Sequence, residues 1–308
     1  MKEKYQFGAD FEFHLYDKRK ETFIPAEVYF GINKHASISS DHLTAEIRPA
    51  PSNNIDELIF NTRELLIKVK KEAKNVELVL SPTVMYDVFS LKDLYLKYPD
   101  ILDDKGFEYD IKNYKNRLKN MIIIEKGKGL QRSAGGHLWL NCEESHSDVV
   151  KLFDAFLAIP FILMFPCIEE ALRRTKYGKA GEYRQNGKLL EYRTLSTIIL
   201  YSPTVLKNTL LVAKYIIGEF RTVQGIFSDT FPSKKSIYDL KRTINTCDYC
   251  QAQVIWEKLL NYAVWKSCDE FKHLLLEYDR FIKYMNLQYS NTYNYSKRNE
   301  LLFHNWII

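Results

Sequence analysis

Four short segments of the chain alternate between apolar and polar residues, with the two-residue period of half-buried β-strands. They lie at residues 5–15, 43–47, 137–142 and 189–195. In each segment one face is apolar, which predicts a sheet with one side against the core and one polar side. The opposite faces carry Asp10, Glu12 and His14; Glu46 with Arg48; His137, Trp139 and Asn141; and Glu191 with Arg193.

Helical spacing of apolar residues dominates the rest of the chain. It predicts one helix over residues 58–74 and a long helix from Ser147 to Arg174 that Pro160 and Pro166 should bend. A further helix is predicted to begin at Ser202-Pro203, where a cap precedes a proline at the first helical position. The last hundred residues are predicted to be helical throughout.

A polar stretch interrupts these elements. Residues 97–132 are rich in Lys, Asn, Asp and Gly and predict a long excursion, with one candidate strand at 121–124. Strands that share a polar face, followed by a long helical region, indicate an α+β fold. We expect residues 1–225 to carry the strands and residues 226–308 to form a helical C-terminal region packed on the same domain.

Composition excludes several classes of protein. The 308 residues are 46% hydrophobic and 27% charged, so the chain can bury a large core and is not disordered. The longest apolar stretch, residues 156–168, contains two prolines and is shorter than the ~20 residues that cross a bilayer, so it predicts a buried helix. The charged N-terminus leads to no apolar targeting stretch, and we expect a cytoplasmic protein. Five irregularly spaced cysteines predict reduced thiols, and the Cys247–Cys250 pair lacks the second pair of a structural zinc site.

The net charge of +5 is concentrated in one segment. Residues 165–225 contain 10 Lys and Arg against 5 Asp and Glu, whereas residues 1–164 contain 23 against 25 and residues 226–308 contain 11 against 9. Such a local patch favours a phosphate-bearing small molecule or a short nucleic-acid contact over general nucleic-acid binding. Charge counting by itself favours the alternative, a solvated basic loop.

The polar faces of the four strands have a distinctive composition. A sheet face that only meets water usually carries Lys, Thr, Ser and Gln, whereas these faces concentrate carboxylates, imidazole and guanidinium. Those groups hold divalent cations against polyphosphate, and carboxylates clustered without a cation would resist ionising together. A wet sheet face explains any single strand well, but four such strands together favour a site for metal and phosphate.

Several motifs give the chain a resemblance to a known family. They are GADFEF at residues 8–13, AEIRP at 45–49, RSAGGH at 132–137, and RRTKYGKAGEYR at 173–184, which leads into LEYRTLS at 190–196. In order and wording they resemble the phage carboxylate–amine ligases of the phiEco32-like type 2 family, within the superfamily of glutamine synthetase and glutamate–cysteine ligase. The resemblance spans roughly residues 7–201, and its later half is the specific part.

This resemblance implies a glutamine-synthetase-like catalytic fold. In such a fold the concave face of a curved antiparallel sheet holds ATP and two or three Mg²⁺ ions, with Mn²⁺ as an alternative, and helices back the sheet. By position, Glu12 and Glu46 match ligands of the metal nearest the acceptor substrate. Asp10, His137 and Glu191 match ligands of the metal on the nucleotide phosphates.

The resemblance also implies roles for basic and aromatic residues. Arg174, Arg184 and Arg193 match positions that grip the γ-phosphate and the acyl phosphate, a task that suits guanidinium groups. Lys179 lies in a glycine-rich loop without P-loop spacing, which is expected to be flexible and to bring Lys179 and Arg184 over the site. Trp139 occupies the place of a second histidine common in relatives. It is a candidate to stack on the nucleotide, and packing within its strand is the alternative.

Residues and resemblance together predict an ATP- and Mg²⁺-dependent ligase that joins a small-molecule or peptide carboxylate to an amine through an acyl phosphate. Two alternatives stay open. One is a kinase of carboxylate or guanidino groups that uses the same site. The other is a binding protein of this fold that has lost turnover and docks nucleic acid through its basic segment. The sequence identifies neither the substrates nor the oligomeric state.

Overall fold

A computed structural model of the protein describes residues 5–31, 36–41, 43–86, 130–290 and 305–306. The candidate strand at 121–124 and most of the predicted excursion lie outside these ranges. Within them the fold is α+β, as the alternating and helical patterns predict.

The strands of the described ranges pair antiparallel throughout. Eight belong to one sheet, in which β3, β4, β1, β8, β10 and β9 lie side by side while β2 and β5 extend the pairing of β1. A separate pair consists of β6 and β7. The strands are β1 (Phe7–Asp17), β2 (Thr22–Ile24), β3 (Ile38–Asp41), β4 (Thr44–Ile47), β5 (Glu77–Val79), β6 (Thr83–Tyr86), β7 (Leu130–Ser133), β8 (Gly136–Asn141), β9 (Tyr183–Asn186) and β10 (Leu189–Tyr192).

The four alternating segments become four consecutive strands of the large sheet, β4, β1, β8 and β10. Between β1 and β4, Glu12 pairs with Glu46, and between β1 and β8, Asp10 pairs with His137. The apolar residues of β1 are buried in the core, and the carboxylates occupy the opposite face. The sheet therefore has the predicted polar face, and its register brings metal-ligand residues from separate strands into neighbouring positions.

Helices supply the other layer. They are α1 (Ile55–Glu72), α2 (His146–Phe153), α3 (Ile159–Met164), α4 (Ile168–Arg174), α5 (Pro203–Gly218), α6 (Phe220–Thr230), α7 (Lys234–Thr246), α8 (Tyr249–Lys266) and α9 (Asp269–Ser290). Asn54 caps α1 and Ser202 caps α5, since each side chain accepts backbone N–H bonds of the first turn. Ser145 occupies the cap position of α2, two residues before the predicted helix start at Ser147.

The prediction of one bent helix from Ser147 to Arg174 is wrong. The segment consists of α2, a π-helical turn over Asp154–Ala158, α3, and α4 after an extended break. Pro160 directly follows the π-helical turn and lies inside this run of consecutive helical residues. Phe165 has left the helical region with φ −131° and ψ 66°, because the residue before Pro166 is pushed away from helical backbone angles. Pro166 therefore ends a helix instead of bending one.

The strands and the C-terminal helices contribute to one buried hydrophobic cluster. Phe153 of α2 packs edge-on against Tyr192 of β10, with ring centres 5.2 Å apart. Phe271 of α9 stacks on Tyr215 of α5 at 4.3 Å and lies 6.0 Å from Phe156 in the π-helical turn. The helical region beyond residue 225 is thus packed against the same core as the sheet.

Two further expectations concern composition. None of the helices in the described ranges is both long enough and apolar enough to span a membrane. All five cysteines are free, as their spacing predicts, and the described residues contain no metal-ligand cluster that includes a cysteine.

Candidate active site

Three side chains converge on the polar face of the sheet, one from each of three adjacent strands. Asp10 of β1, His137 of β8 and Glu191 of β10 each offer one ligand atom, and these atoms all lie within 4.8 Å of one another. Nδ1 of His137 is 3.3 Å from Oε1 of Glu191. Two carboxylates and one imidazole suit a divalent cation such as Mg²⁺ or Mn²⁺. We call these three residues the ligand cluster.

Burial shapes the protonation of this cluster. It raises the pKa of Asp10 and that of Glu191, because both carboxylates are shielded from water. Burial also lowers the pKa of His137 well below its ordinary value, and the charges of nearby arginines act in the same direction. The imidazole is therefore neutral and retains one lone pair for a metal ion. A bound cation would stabilise these buried carboxylates in their ionised form more than it would stabilise exposed ones.

A second pair of carboxylates borders the ligand cluster. Glu12 accepts a hydrogen bond of 2.7 Å from the backbone N–H of Gly135 through its Oε2 atom. Burial, reinforced by the charge of Glu12, raises the pKa of Glu46 to about 8. Arg48 forms an ion pair with Glu46, and its Nε lies 3.7 Å from Oδ1 of Asp10. The two glutamates and the ligand cluster thus share one polar sheet face across β4, β1, β8 and β10.

Two of the predicted arginines lie beside the ligand cluster. Nη1 of Arg193 is 3.1 Å from Oε1 of Glu191, and Nη1 of Arg184 is 3.8 Å from Oε2 of the same carboxylate. The Arg184 side chain is 60% exposed, whereas that of Arg193 is buried. One arginine is therefore held rigidly and the other can reach into solvent from the cross-strand position opposite Glu191.

The structure does not bring Arg174 to the ligand cluster. Its guanidinium is fully buried at the end of α4, where Nε donates to Glu170 at 2.9 Å and Nη1 donates to the carbonyl of Ile244 at 3.2 Å. Burial alone would raise the pKa of Glu170, but Arg174 and Arg173 hold it below its ordinary value. These contacts correct the expected phosphate-binding role of Arg174, because its donors are used to join α4 to α7.

The glycine-rich loop, which the sequence predicts to be flexible, has three backbone N–H groups bonded to side chains. Oε2 of Glu182 accepts from the N–H of Gly178 at 2.7 Å and from the N–H of Lys179 at 3.1 Å. The N–H of Ala180 donates to Oδ1 of Asn245, in α7, at 2.7 Å. Lys179 itself is exposed on the loop. These bonds tie the segment to Glu182 and to α7, and its lysine faces solvent.

Trp139 makes a polar contact that neither sequence-based alternative includes. Its indole N–H donates to Oδ2 of Asp10 at 2.8 Å across the β1–β8 pair. The side chain is half-buried, so this bond fixes one oxygen of the ligand cluster. Nothing about the alternation of β8 distinguishes this role from stacking or packing.

Sequence reasoning missed Tyr177, although it lies inside a motif used for the resemblance. The Tyr177 hydroxyl is 2.6 Å from Nε2 of His137 and accepts a hydrogen bond from Arg193. The guanidinium carbons of Arg173 and Arg193 lie 5.1 Å and 5.0 Å from the centre of its ring. The sequence offered one indication of a role for Tyr177: it is an aromatic residue next to a glycine in a basic segment.

Gly135 is the second residue that was missed. A Cβ atom at this position would lie 2.2 Å from Nε2 of His137 and 2.8 Å from Cδ2. The glycine before the strand therefore leaves the space that the imidazole occupies.

Comparisons with known proteins extend this description. The family model of the phage phiEco32-like COOH.NH2 ligase-type 2 matches residues 128–283, just over half of the chain. Among solved structures, the crystal structure of a bifunctional glutathione synthetase from Pasteurella multocida is similar, with a TM-score of 0.54 and 12% sequence identity. The match covers 99% of this chain and 52% of that one, so this chain spans about half the length of the solved protein. At that identity the similarity concerns the fold alone. No curated protein sequence matches the chain.

Proposed function

Because the chain belongs to the phage phiEco32-like COOH.NH2 ligase-type 2 family, we propose that it is an ATP- and Mg²⁺-dependent enzyme that joins a carboxylate to an amine. One observation carries the proposal beyond the family: Asp10, His137 and Glu191 meet within 4.8 Å on a sheet face where Arg184 and Arg193 lie beside them. A cation site next to two guanidinium groups is suited to a polyphosphate.

We propose a glutamine-synthetase-like arrangement for the fold. Support comes from the antiparallel sheet with its acidic face and from a fold similarity to a ligase that covers 99% of the chain. We further propose that residues 1–225 carry catalysis and that residues 226–308 pack on the same unit. The family match runs across residue 225, and both parts share the buried cluster, which supports this organisation.

The residues present fit the metal that the proposal requires. Asp10, His137 and Glu191 would hold the ion that binds the nucleotide phosphates, and Glu12 with Glu46 would hold an ion nearer the acceptor. Mn²⁺ is an alternative to Mg²⁺. The raised pKa values of the buried Asp10 and Glu46 support a cation here, because ionised carboxylates need a compensating charge. Ions held there would supply positive charge to offset that of the phosphates.

ATP is needed because a carboxylate has no good leaving group for an amine at neutral pH. A carboxylate oxygen attacks the γ-phosphorus, the bond to the bridging oxygen of ADP breaks, and an acyl phosphate results. The amine nitrogen then bonds to the acyl carbon, inorganic phosphate leaves, and the nitrogen loses a proton to give an amide or peptide bond. Charge shifts onto the transferring phosphoryl group in the first step and departs with the phosphate in the second, so the protein must supply stabilisation at the phosphate position.

Arg193 and Arg184 are the groups proposed for that task. Both now pair with Glu191, so each already lies beside the expected phosphate position. When the Glu191 oxygens are engaged by a cation, the same guanidinium donors become available to phosphate. A buried arginine that is preorganised in this way contributes more than a solvated one, since no reorganisation accompanies the charge transfer.

The substrates are proposed only by class. A carboxylate and an amine, on small molecules or peptides, satisfy the chemistry. We place the reaction in the cytoplasm, that of the host if the chain is phage-encoded, because ATP is available there.

The proposal is tested by trapping the acyl phosphate. The full chain is incubated with Mg²⁺-ATP, a panel of carboxylates and hydroxylamine, and hydroxamate, ADP and phosphate are measured. We expect hydroxamate that depends on both ATP and Mg²⁺ and disappears with EDTA. Arg193→Ala should lower turnover at least ~10²-fold, as when one preorganised donor to developing charge is removed. The control Arg221→Ala removes an exposed arginine of α6 and should leave turnover unchanged.

Other products would contradict this mechanism. AMP and pyrophosphate would indicate adenylation of the carboxylate. ADP with a stable phosphorylated acceptor and no need for an amine would indicate a kinase. Undiminished turnover in Arg193→Ala would make that arginine structural.

A further inference from the structure

Both ring nitrogens of His137 are engaged in the structure. Nδ1 faces Oε1 of Glu191 at 3.3 Å, and Nε2 lies 2.6 Å from the hydroxyl of Tyr177. Nδ1 is therefore the nitrogen on the side of the ligand cluster, and Nε2 is turned away from Glu191.

A neutral imidazole has one N–H and one lone pair, and a metal ion requires the lone pair. The partner of the other nitrogen decides which tautomer is favoured. If Nε2 donates its N–H to the Tyr177 oxygen, the Nδ1 lone pair is free for a cation. The same oxygen accepts from Arg193, and a hydroxyl oxygen has the two lone pairs needed for both bonds.

The ring of Tyr177 is held in place by two arginines. Its ring lies against the guanidinium groups of Arg173 and Arg193. Arg173 is fully buried and donates to the three consecutive carbonyls of residues 193–195 at 3.1, 2.9 and 2.8 Å. The hydroxyl is thus presented to His137 by a ring that cannot easily turn away.

We propose that Tyr177 is a positioning residue, whose hydroxyl holds His137 in the orientation and tautomer that present Nδ1 to the cation. Through the same oxygen it also links the phosphate-side Arg193 to the ligand cluster. This inference rests on the proposed metal site. Nothing in the resemblance or in the family match assigns this residue.

The proposal is tested by titrating the full chain with Mn²⁺ in the absence of nucleotide. The EPR signal reports the concentration of free Mn²⁺. Tyr177→Phe keeps the ring against both arginines and removes only the hydroxyl, so a packing role would survive the change. We expect the Mn²⁺ affinity to fall by about 10- to 100-fold, the usual effect of removing a group that orients a ligand. Thermal unfolding of each variant shows whether it is folded.

Tyr86→Phe is the matched control. It removes another tyrosine hydroxyl that lies against a histidine, 3.1 Å from Nδ1 of His14, outside the ligand cluster. Its Mn²⁺ affinity should equal that of the wild type. Glu191→Gln tests the metal site itself and should nearly abolish binding.

Nitrogen-15 NMR of the histidine rings gives a second measurement that does not depend on a variant folding. In the Mg²⁺-saturated wild type, His137 should carry its proton on Nε2. A proton on Nδ1 under those conditions would overturn the inference. Wild-type Mn²⁺ affinity in folded Tyr177→Phe, with binding lost in Glu191→Gln, would overturn the inference and leave the metal site standing. Absence of Mn²⁺ binding in the wild type would overturn both.

Discussion

Replacement of Gly135 by alanine should expel the imidazole of His137 from the ligand cluster. The added methyl group would lie 2.2 Å from Nε2, 2.8 Å from Cδ2 and 2.9 Å from Cε1 of that ring. Carbon and nitrogen atoms in contact prefer separations of about 3.5 Å, so the ring must move by roughly 1 Å or more. Such a shift cannot preserve both the 2.6 Å contact with Tyr177 and the approach to Glu191.

Gly135→Ala should reduce both the affinity for metal and the stability of the fold. Disturbing only a group that orients a ligand weakens metal binding by about 10- to 100-fold, so displacing the ligand itself should exceed the upper end of that range. Stability should fall by about 1–3 kcal/mol, because overpacking strains a buried site whose side chain can still shift. The assays are Mn²⁺ titration and chemical denaturation. Gly225→Ala is the control: outside the backbone of its own helix, no atom lies within 4 Å of the added methyl group, so Mn²⁺ affinity should not change.

A double variant separates this explanation from general damage to the fold. In a His137→Ala background the ring is gone, and Gly135→Ala should then cost almost no stability, because the two changes act through one contact. An equal loss of stability in both backgrounds would mean that the imidazole is not what the methyl group meets. Wild-type Mn²⁺ affinity in Gly135→Ala would refute the reasoning directly.

Three further variants test other contacts. Trp139→Phe removes the indole N–H that Asp10 accepts, and Mn²⁺ affinity should fall about 10-fold, whereas Trp256→Phe, which removes a buried indole–carboxylate bond elsewhere, should bind normally. Burial raises the pKa of Asp154 from its ordinary 3.8 to about 7, so the folded protein favours the protonated side chain. The free energy of unfolding should therefore be highest below about pH 4 and should fall as the pH rises to about 7. Denaturation should therefore show Asp154→Asn more stable than wild type at pH 8, by up to about 4 kcal/mol, with the difference shrinking toward pH 4; a constant difference would contradict the assignment. Glu170→Gln removes the carboxylate charge beside two buried guanidinium groups and should lower the free energy of unfolding by about 3–5 kcal/mol. A loss below about 1 kcal/mol would show that the bonds to backbone carbonyls are sufficient for both groups.

The sequence predicts the sheet well because alternation is a local property of each strand. The polar face of β1, β4, β8 and β10 follows from the two-residue period alone. That these strands are neighbours, with Asp10 opposite His137, depends on pairing between residues far apart in the chain. The resemblance, not the periodicity, grouped Asp10, His137 and Glu191 in advance, and their roles as ligands remain predictions.

Other features could not be predicted because they depend on where a side chain points. Arg173 and Arg174 are adjacent in one motif, yet both guanidinium groups are buried in contacts with backbone carbonyls and Glu170. No pattern in the sequence distinguishes such an arginine from one that faces phosphate. Tyr177 was missed for the related reason that a hydroxyl acquires its role only from what lies within hydrogen-bonding distance. The break before α4 depends on Pro166, which can either bend or end a helix.

The contacts between α7 and the segment that carries the candidate site limit how the chain can be divided. Asn245 fixes the loop through Ala180, and the carbonyl of Ile244 receives Arg174 at the end of α4. A shortened chain ending before α7 would retain every proposed ligand and both arginines proposed for phosphate, yet would lose two of the bonds that shape the segment between them. The candidate site is therefore not a transplantable module of the first 225 residues. If the site were grafted onto another protein, α7 would have to be transferred with it. The same holds if C-terminal regions were exchanged between relatives.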